Sequence, residues 1–383
     1  MADLPLSTFP NLGLAYPTKA EQLQIWTLNS KNWGTNLSLP DYLEREEHLS
    51  NMPQTRDGGI THWILTDKTL PENSRPILSS CESLRRHAII SYPNGTTKEV
   101  ITHGIGSVFC SPDYRGRGYA GRMLSLVREI LRTHQKDIAE CPFSILYSDI
   151  GKKFYSGLGW KVFASSHISI PALRNDTGTT NGTTNGTANG TTVTATPLTS
   201  QELPDLIAQD CTSLKALVPK IAKSTNKPSL AIYPDAQTIE WHHLRESFMA
   251  SKLFPNRPLP TINGAISTGD PGSRVWIIFT RVFGDKFYIL RLVMEDSTDS
   301  ASNAEKLSSV LNIAREEAAK WDLNSVVLWN VSDVVKNLLA RARVAYQSEE
   351  RETDSIPSLM WYGDGEGGPD AVEWVANEKF AWC

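Results

Sequence analysis

The chain has 383 residues, of which 40% are hydrophobic and 21% charged, so it can bury the cores of two ordinary domains and is not a wholly disordered protein. A net charge of −4 and a pI near 6.1 argue against a general nucleic-acid-binding surface. The sequence contains no run of 18 apolar residues, which predicts that nothing spans a membrane.

The cysteines and the start of the chain favour a reducing compartment. The five cysteines are widely spaced and form no CxxC pair, which is typical of reduced thiols. The first twenty residues lack both the basic start and the apolar core of a signal peptide. We therefore expect a cytoplasmic location, with the nucleus as a second candidate.

Helices and strands alternate in the first part of the chain. Helical spacing of Leu23, Trp26 and Trp33 predicts a first amphipathic helix, and Pro40 begins a second. The later elements follow from apolar runs and turn residues. We expect strands at 60–66, 76–80 with 86–92, 100–110, 143–147 and 160–165, with helices from Gly116 and at 150–158.

Residues 175–196 differ from the rest of the sequence, because they are almost wholly Thr, Asn, Gly and Ala. Such a stretch buries too little apolar area to offset its ordering entropy. We expect a flexible linker over residues 173–196, which would join a domain at 1–172 to a second α/β lobe at 197–383. In that lobe we expect a hairpin of strands 274–283 and 286–294, a helix 304–321, a strand 325–329, a helix 333–343 and a strand 358–362.

The segment GSVFCSPDYRGRGYAGRML, residues 106–124, carries the clearest chemical signal. A strand ends at Cys110, and the following loop leads directly into a helix. Gly116 and Gly118 allow a close approach to the backbone, and the helix start offers unsatisfied N–H groups and the positive end of its dipole. This pattern predicts an anion site that suits a pyrophosphate, with Arg115 and Arg117 facing further phosphates.

Two other interpretations of this segment have to be weighed. A Rossmann site would place a GxGxxG loop after the first strand and an acidic residue about 20 positions later, whereas this loop follows several strands. No Walker loop is present. The segment could also be a basic glycine turn that only caps a helix.

The string Arg115-x-x-Gly118-x-Ala120 after a strand resembles the acetyl-CoA loop of the GNAT N-acetyltransferase superfamily. A second segment, FYSGLGW at 154–160, resembles that superfamily's Phe-Tyr-x-x-x-Gly-Phe motif, and the resemblance covers about residues 10–172. Within the superfamily the chain is most similar to fungal lysine N-acetyltransferases, through CESLRRHA at 81–88, HGIGSVF at 103–109 and the long C-terminal extension.

The resemblance implies an α/β (α+β) fold with a GNAT-type mixed central sheet flanked by helices, followed by a second, degenerate GNAT-like lobe. It also implies direct acetyl transfer from acetyl-CoA, without a metal, to a small-molecule amine, with the side chain of free L-lysine as the leading acceptor. The expected partners are thus acetyl-CoA and an amine, with no nucleic acid and no membrane. A protein or peptide N-acetyltransferase and a non-catalytic acetyl-CoA-binding interaction protein remain alternatives.

The resemblance assigns cofactor contacts to two adjacent stretches. The backbone of Val108, Phe109 and Cys110 is expected to meet the pantetheine arm, and an acyl-cysteine at Cys110 is the less favoured mechanism. The pyrophosphate loop comprises Arg115, Gly116, Arg117, Gly118, Tyr119 and Ala120.

Proton transfer requires an acid and a base. Tyr155, in the second motif, is the candidate acid that protonates the departing thiolate, and a packed core tyrosine is the alternative. Many superfamily members place a basic glutamate where this chain has Gly104, so the base is unassigned. His103 is one candidate because histidine titrates near neutral pH, although it could face away from the site.

The acceptor has its own candidate residues. Glu46, Glu47 and Glu82 could hold a cationic substrate, and the alternative is that they are solvated surface charges. The sequence ends with the apolar residues Phe380 and Trp382 before Cys383. Some two-lobed superfamily members use a C-terminal carboxylate as the base, so we expect the α-carboxylate of Cys383 to act as base or substrate anchor.

The second lobe is expected not to bind CoA. The loop before its long helix, residues 295–300, reads EDSTDS and is acidic where the first lobe has Arg115 and Arg117. Acidic side chains repel a pyrophosphate, so we expect this lobe to form one wall of the acceptor pocket instead.

Overall fold

The computed structural model describes residues 5–34, 36–174, 193–365 and 367–382, and these residues build two mixed β-sheets with α-helices packed against them. The elements up to residue 171 are β1 (Leu12–Ala15), α1 (Lys19–Trp33), α2 (Leu39–Ser50), β2 (Ile60–Asp67), β3 (Ser79–Ser91), β4 (Thr97–Phe109), α3 (Tyr119–Leu131), β5 (Phe143–Ser148), α4 (Lys153–Gly157), β6 (Lys161–Val162) and β7 (Ser166–Pro171). The later elements are β8 (Ala195–Leu198), α5 (Leu203–Thr225), β9 (Ser229–Ile232), α6 (Ala236–Leu253), β10 (Gly264–Ser267), β11 (Val275–Arg281), β12 (Phe287–Met294), α7 (Ala301–Lys320), β13 (Ser325–Trp329), α8 (Asp333–Arg341), β14 (Gln347–Glu350), β15 (Ile356–Trp361) and β16 (Glu373–Trp374).

Each sheet defines one lobe, and the predicted fold class is confirmed. The first sheet has the order β1-β2-β3-β4-β5-β15-β6, and β9 pairs with the outer part of β3 and with β16. The second sheet has the order β14-β7-β13-β12-β11-β10-β8. Most neighbours are antiparallel, but β4 with β5, β12 with β13 and β9 with β16 run parallel. A mixed sheet flanked by helices therefore occurs twice.

The two sheets exchange strands across the expected division of the chain. Strand β7, which precedes residue 172, lies in the second sheet between β13 and β14. Strand β15, near the other end of the chain, lies in the first sheet between β5 and β6. Each sheet is therefore completed by a strand from the other half of the sequence.

A shared apolar core lies between the lobes. It contains Tyr147 of β5, Trp329 of β13 and Phe380 near the end of the chain, all of them buried. Burying a large apolar side chain stabilises the fold by about 1.5–3 kcal/mol, so this core is a major link between the lobes. On the outer face of the first sheet, α3 packs Met123 and Val127 into a separate cluster.

Two sequence-based element predictions need correction. Strand β3 runs without a break from Ser79 to Ser91, where an interrupted strand at 76–80 with 86–92 was predicted, because the polar residues in its middle, some of which line a cavity, interrupt the apolar pattern. On α1 the predicted inward residue Leu23 is exposed, whereas Gln22 and Asn29 are buried. Of the predicted linker, residues 175–192 lie outside the described residues, and β8 already begins at Ala195.

Candidate active site

The parallel strands β4 and β5 separate after a short paired stretch. Residues 103–105 pair with residues 144–146, and the pairing ends there although β4 continues to Phe109. Backbone groups beyond this point lose their partner on the β5 side, which leaves them available to a ligand. The predicted cofactor contacts Val108, Phe109 and Cys110 lie where the strands have separated.

A β-bulge changes the direction of β4 near its end. Ser80 pairs with Phe109 and Glu82 pairs with Gly106, so two residues of β4 stand opposite Cys81 alone. One of them, Ser107, has a φ of +52°. Bulges of this kind bend a strand and redirect its side chains, and they are common beside active sites.

The predicted pyrophosphate loop has the backbone that an anion requires. Gly116 and Gly118 have φ values of +78° and +83°, which side chains disfavour. A Cβ on Gly116 would meet nothing within 4 Å, so the space beside it is open. Gly118 precedes α3 without a side-chain cap, which leaves the first N–H groups of the helix for a ligand.

The remaining residues of the loop differ in their exposure to solvent. Arg115 and Arg117 are exposed, and the Arg115 Nε donates to the Cys110 carbonyl at 3.1 Å. Tyr119 is buried, and its hydroxyl donates to the Pro5 carbonyl, while Ala120 is half-buried. The described start of the chain thus contacts the beginning of α3.

Cys110 packs at the edge of the site. Its thiol donates to the Leu78 carbonyl at 3.4 Å, and burial raises its pKa. A thiol with a raised pKa is a poor nucleophile at neutral pH. The acyl-cysteine alternative therefore gains no support from the geometry.

Tyr155 lies on the one-turn helix α4 and is that helix's buried residue. Burial raises the pKa of its phenol, and the Cys81 thiol and the Asp149 carboxylate act in the same direction. The phenol therefore stays protonated at neutral pH, as a proton donor must. Because Cys81 also lines the cavity described next, Tyr155 lies close to that cavity.

Glu46 and Glu82, two of the three predicted substrate residues, line one small cavity with His62, Ser107 and Cys81. The Ser107 hydroxyl donates to Glu82 at 2.9 Å, and the Nδ1 of His62 lies 3.6 Å from the other Glu82 oxygen. Burial raises the pKa of both carboxyls. Burial also lowers the pKa of His62 to about 4, so this imidazole is neutral.

Helix α1 closes the cavity with two buried amides. Gln22 and Asn29 are seven residues apart, on the same face of the helix as Trp26. In the described part of the chain, the Oε1 of Gln22 and the Oδ1 of Asn29 have no hydrogen-bond partner. With the two carboxyl groups, these amide oxygens give the cavity acceptors that lack donors, which a ligand with an ammonium group could supply.

The other predicted site residues are not part of this cavity. His103 is buried on the opposite face of β4, with its Nε2 3.4 Å from the His134 carbonyl, and burial lowers its pKa to about 3. Glu47 is exposed and accepts a hydrogen bond from Asn51 at 3.2 Å. Cys383 lies outside the described residues.

Sequence reasoning missed His62, Gln22 and Asn29. The spacing of the two amides was visible in the sequence, but polar residues on a helix usually face solvent. His62 alternates with Trp63 along β2, and only the assembled sheet shows that it faces Glu82. These residues acquire their role through tertiary packing.

The parallel pair β12 and β13 of the second lobe is arranged differently. It pairs only at Phe287–Val326 and Tyr288–Val327, and a cleft of about 730 Å³ opens beyond. The chain's own later residues enter it, because the Glu378 carboxylate accepts from the Leu292 N–H at 3.0 Å.

The helix that follows β12 is capped by its own residues. The Ser300 hydroxyl accepts from the Asn303 N–H at 3.2 Å, and the Asn303 amide donates to carbonyls of the acidic loop. The start of α7 therefore has fewer free donors than the start of α3, and it carries no glycine.

Other kinds of site are not supported. Among the described residues, no group of three or more His, Cys, Asp or Glu side chains is placed to hold a metal ion. In the ranges given above, no helix is long and apolar enough to cross a membrane.

Comparison with solved structures identifies the fold. The fold matches a probable N-acyltransferase from Enterococcus faecalis with a TM-score of 0.52 at 12% identity, over 92% of this chain and 73% of that one. It also matches a GCN5-related N-acetyltransferase from Kribbella flavida with a TM-score of 0.50 at 15% identity, over 91% and 70% of the two chains. The fold is that of the GNAT N-acetyltransferases, as the sequence motifs predicted.

The family model described as "LYC1 GNAT-like C-terminal domain" matches residues 167–383, more than half of the chain, and the protein belongs to this family. A lysine acetyltransferase of Yarrowia lipolytica is 27% identical over 92% of this chain and 94% of its own length. An uncharacterized protein of Saccharomyces cerevisiae is 23% identical over 94% and 95% of the two chains. The predicted resemblance to the GNAT superfamily is confirmed.

Proposed function

We propose that this N-acetyltransferase moves the acetyl group of acetyl-CoA to a small-molecule amine, the side-chain amine of free L-lysine. The observation that carries the proposal is the acceptor-lined cavity of Glu46 and Glu82, beside the point where β4 and β5 separate. The similarity to a lysine acetyltransferase of Yarrowia lipolytica supports the choice of acceptor.

The residues present fit the coenzyme. The open space at Gly116 and the uncapped start of α3 would take the pyrophosphate, with Arg115 and Arg117 adding positive charge. The backbone of 108–110 would hydrogen-bond the pantetheine arm. When bound, acetyl-CoA supplies an acetyl thioester, which an amine lone pair can attack.

The acidic cavity would bind the acceptor ammonium and take a proton from it. Glu46 is held in place by Arg45, whose guanidinium donates to it at 2.7 Å and 2.9 Å. Glu82 takes the proton, because burial raises the pKa of its carboxyl toward the amine's value of about 10.4. His62 stays neutral and adds no opposing charge.

Tyr155 would give its phenolic proton to the sulfur as the C–S bond breaks and the N–C bond forms. The surplus proton on the new amide nitrogen then restores the phenol, and Glu82 releases its proton to water. The net products are the amide, the free thiol and one proton. This assignment uses Tyr155 as the acid and Glu82 as the base, and it needs neither His103 nor Cys110.

The test is acetyl transfer by the purified chain, followed by thiol release, with L-lysine, other amines and a lysine-containing peptide as acceptors. We expect turnover with L-lysine, and Glu82→Gln should lower kcat/KM by about 10²-fold or more, the contribution of a general base. Glu47→Gln is the matched control, since it removes an exposed carboxylate from the same region, and it should leave kcat/KM unchanged.

Three outcomes would contradict the proposal. Faster turnover of the peptide than of L-lysine would indicate a protein N-acetyltransferase. Binding of acetyl-CoA without turnover of any amine would indicate a non-catalytic binding protein. Equal losses in the two glutamate variants would remove the acidic cavity from the mechanism.

A further inference from the structure

One face of α6 lies against α2 and the end of the chain, next to the acidic cavity. Trp241, Arg245, Phe248 and Lys252 follow one another at spacings of four, three and four residues, so they share a face. The Phe248 ring stacks on His48 of α2 at 5.1 Å. Because its neighbours on this face contact α2, Arg245 is directed toward the same helix.

Arg245 has no direct ion-pair partner on this face. Lys252 pairs with Asp41 and Glu44, whereas Arg245 has no salt bridge or hydrogen bond among the described residues. It lies over the Trp382 ring at 5.8 Å and is attracted by the charge of Glu46. Its side chain is partly buried. Burial, together with the like charge of Arg45, lowers the pKa of Arg245 to about 10.

A second donor lies one turn away. The indole N–H of Trp241 is buried and has no partner in the described part of the chain. The Trp241 ring contacts the Trp382 ring at 6.4 Å, so Trp241 and Arg245 meet the same aromatic ring. Two unpartnered donors, one of them a guanidinium, match the two oxygens of a carboxylate.

Glu46 is a neighbour of both kinds of charge. It lines the cavity with Glu82, and the positive charges that act on it are those of Arg45 and Arg245, neither of which lines the cavity. Arg45 is already engaged by Glu46 and by the Trp33 carbonyl, which leaves Arg245 for a ligand. A zwitterion with its ammonium and carboxylate at opposite ends would complement this arrangement.

We infer that Arg245 binds the α-carboxylate of the acceptor and so selects acceptors that carry this group next to the reacting chain. The inference rests on the proposed function, because it uses the acidic cavity as the site of the acceptor amine. Arg245 is thus a specificity residue that selects the acceptor and takes no part in proton transfer.

The test compares three acceptors that share the same reacting amine: L-lysine, L-lysine amide and 1,5-diaminopentane. The wild-type chain should prefer L-lysine in kcat/KM, since the other two lack the carboxylate. Arg245→Gln should raise the KM for L-lysine about 10- to 100-fold, the worth of a hydrogen bond between charged groups. It should leave kcat/KM for 1,5-diaminopentane unchanged.

Lys252→Gln, on the same face of α6, is the matched control, because it removes a cation from an exposed pair and should change neither acceptor. Equal use of L-lysine and L-lysine amide by the wild-type chain would overturn the inference, and this measurement needs no variant to fold. An equal loss on L-lysine and diaminopentane in Arg245→Gln would overturn it as well. Absence of turnover with all three acceptors would instead refute the proposed function.

Discussion

Each lobe has a pair of parallel strands that separate after a short paired stretch: β4 and β5 pair over three residues, and β12 and β13 pair over two. A long helix follows the first strand of each pair. In the first lobe the gap leads to a glycine loop and an uncapped helix. In the second lobe the Glu378 carboxylate accepts a hydrogen bond from the Leu292 N–H, and the Ser300 hydroxyl caps the helix.

The two lobes share a strand topology, but the gap between the separated strands is open to a ligand in the first lobe and filled by the chain itself in the second. Separated strands expose backbone N–H groups, and these must find a partner in a ligand or in the chain itself. Glycine at 116 and 118 supplies no such partner, whereas Ser300 and Glu378 do. We therefore predict one coenzyme per chain, bound in the first lobe.

The largest expected effect concerns Tyr155. The helix that follows β13, α8, buries Val335, Leu338 and Leu339, so α8 itself carries no counterpart of this phenol. Tyr155→Phe makes the first lobe resemble the second at this point, and kcat should fall about 10²–10⁴-fold, the contribution of a general acid. Steady-state kinetics with a separate measurement of acetyl-CoA affinity checks this. Unchanged kcat would leave Tyr155 as a packing residue.

The next effect concerns Glu378, which fills the cleft between β12 and β13 in the second lobe. Glu378→Gln removes the charge that faces Arg291, which is also held by Asp210 at 2.7 Å. Arg291 keeps its pair with Asp210, so the variant loses one hydrogen bond between charged groups and the free energy of unfolding should fall by about 1.5–3 kcal/mol. Glu373→Gln, from an exposed pair with Lys227, should change it little.

Titration calorimetry of the Glu378→Gln variant with acetyl-CoA then tests whether Glu378 keeps the coenzyme out of the second lobe. One coenzyme per chain is expected even here, because the acidic loop and the cap on α7 remain. Two coenzymes per chain would show that Glu378 alone keeps the second lobe empty.

A smaller effect is expected at the glycine loop. Gly116→Ala adds a Cβ in the open space where the pyrophosphate would lie, and acetyl-CoA affinity should fall about tenfold, equivalent to about 1.4 kcal/mol. Gly95→Ala is the control, since Gly95 also has a positive φ, of 89°, and open space around it, but lies in the turn between β3 and β4. Equal affinities in the two variants would place the pyrophosphate elsewhere.

The smallest effect is on the pH dependence of stability. Hydrogen bonds from Arg75 lower the pKa of Glu21 to about 2. Burial opposes the same shift at Glu295, but hydrogen bonds from Arg274 outweigh it and lower that pKa to about 2 as well. Both pKa values lie below those of the unfolded chain, so each pair stabilises the fold above about pH 4.5 and this contribution is lost as the pH falls toward 2.

Glu21→Gln and Glu295→Gln, one in each lobe, should each lower the Tm at pH 6 and weaken its fall on acidification. Because the lobes exchange β7 and β15, a single unfolding transition is expected in every variant. Circular dichroism during heating, from pH 6 to pH 2.5, measures both effects. Two separate transitions would mean that the exchanged strands do not couple the lobes.

The sequence by itself determined the local features of this protein. Period-2 and period-3.6 patterns located β2, β4, β5, α3 and the hairpin of β11 and β12, because these elements bury one apolar face. Gly116 and Gly118 indicated the loop, since both adopt the positive φ that favours glycine. The GNAT fold followed from two motifs in order.

The tertiary structure alone decided the exchange of strands and the composition of the acidic cavity. Gln22, His62 and Asn29 are polar residues that the sequence assigns to solvent. Gln22 and Asn29 are buried and His62 is half-buried, because separate elements converge on Glu82. The predicted base His103 turned out to face His134, since neighbouring strand residues alternate between faces. Local patterns state which face of an element is apolar, but only the packed fold brings polar groups from distant elements together.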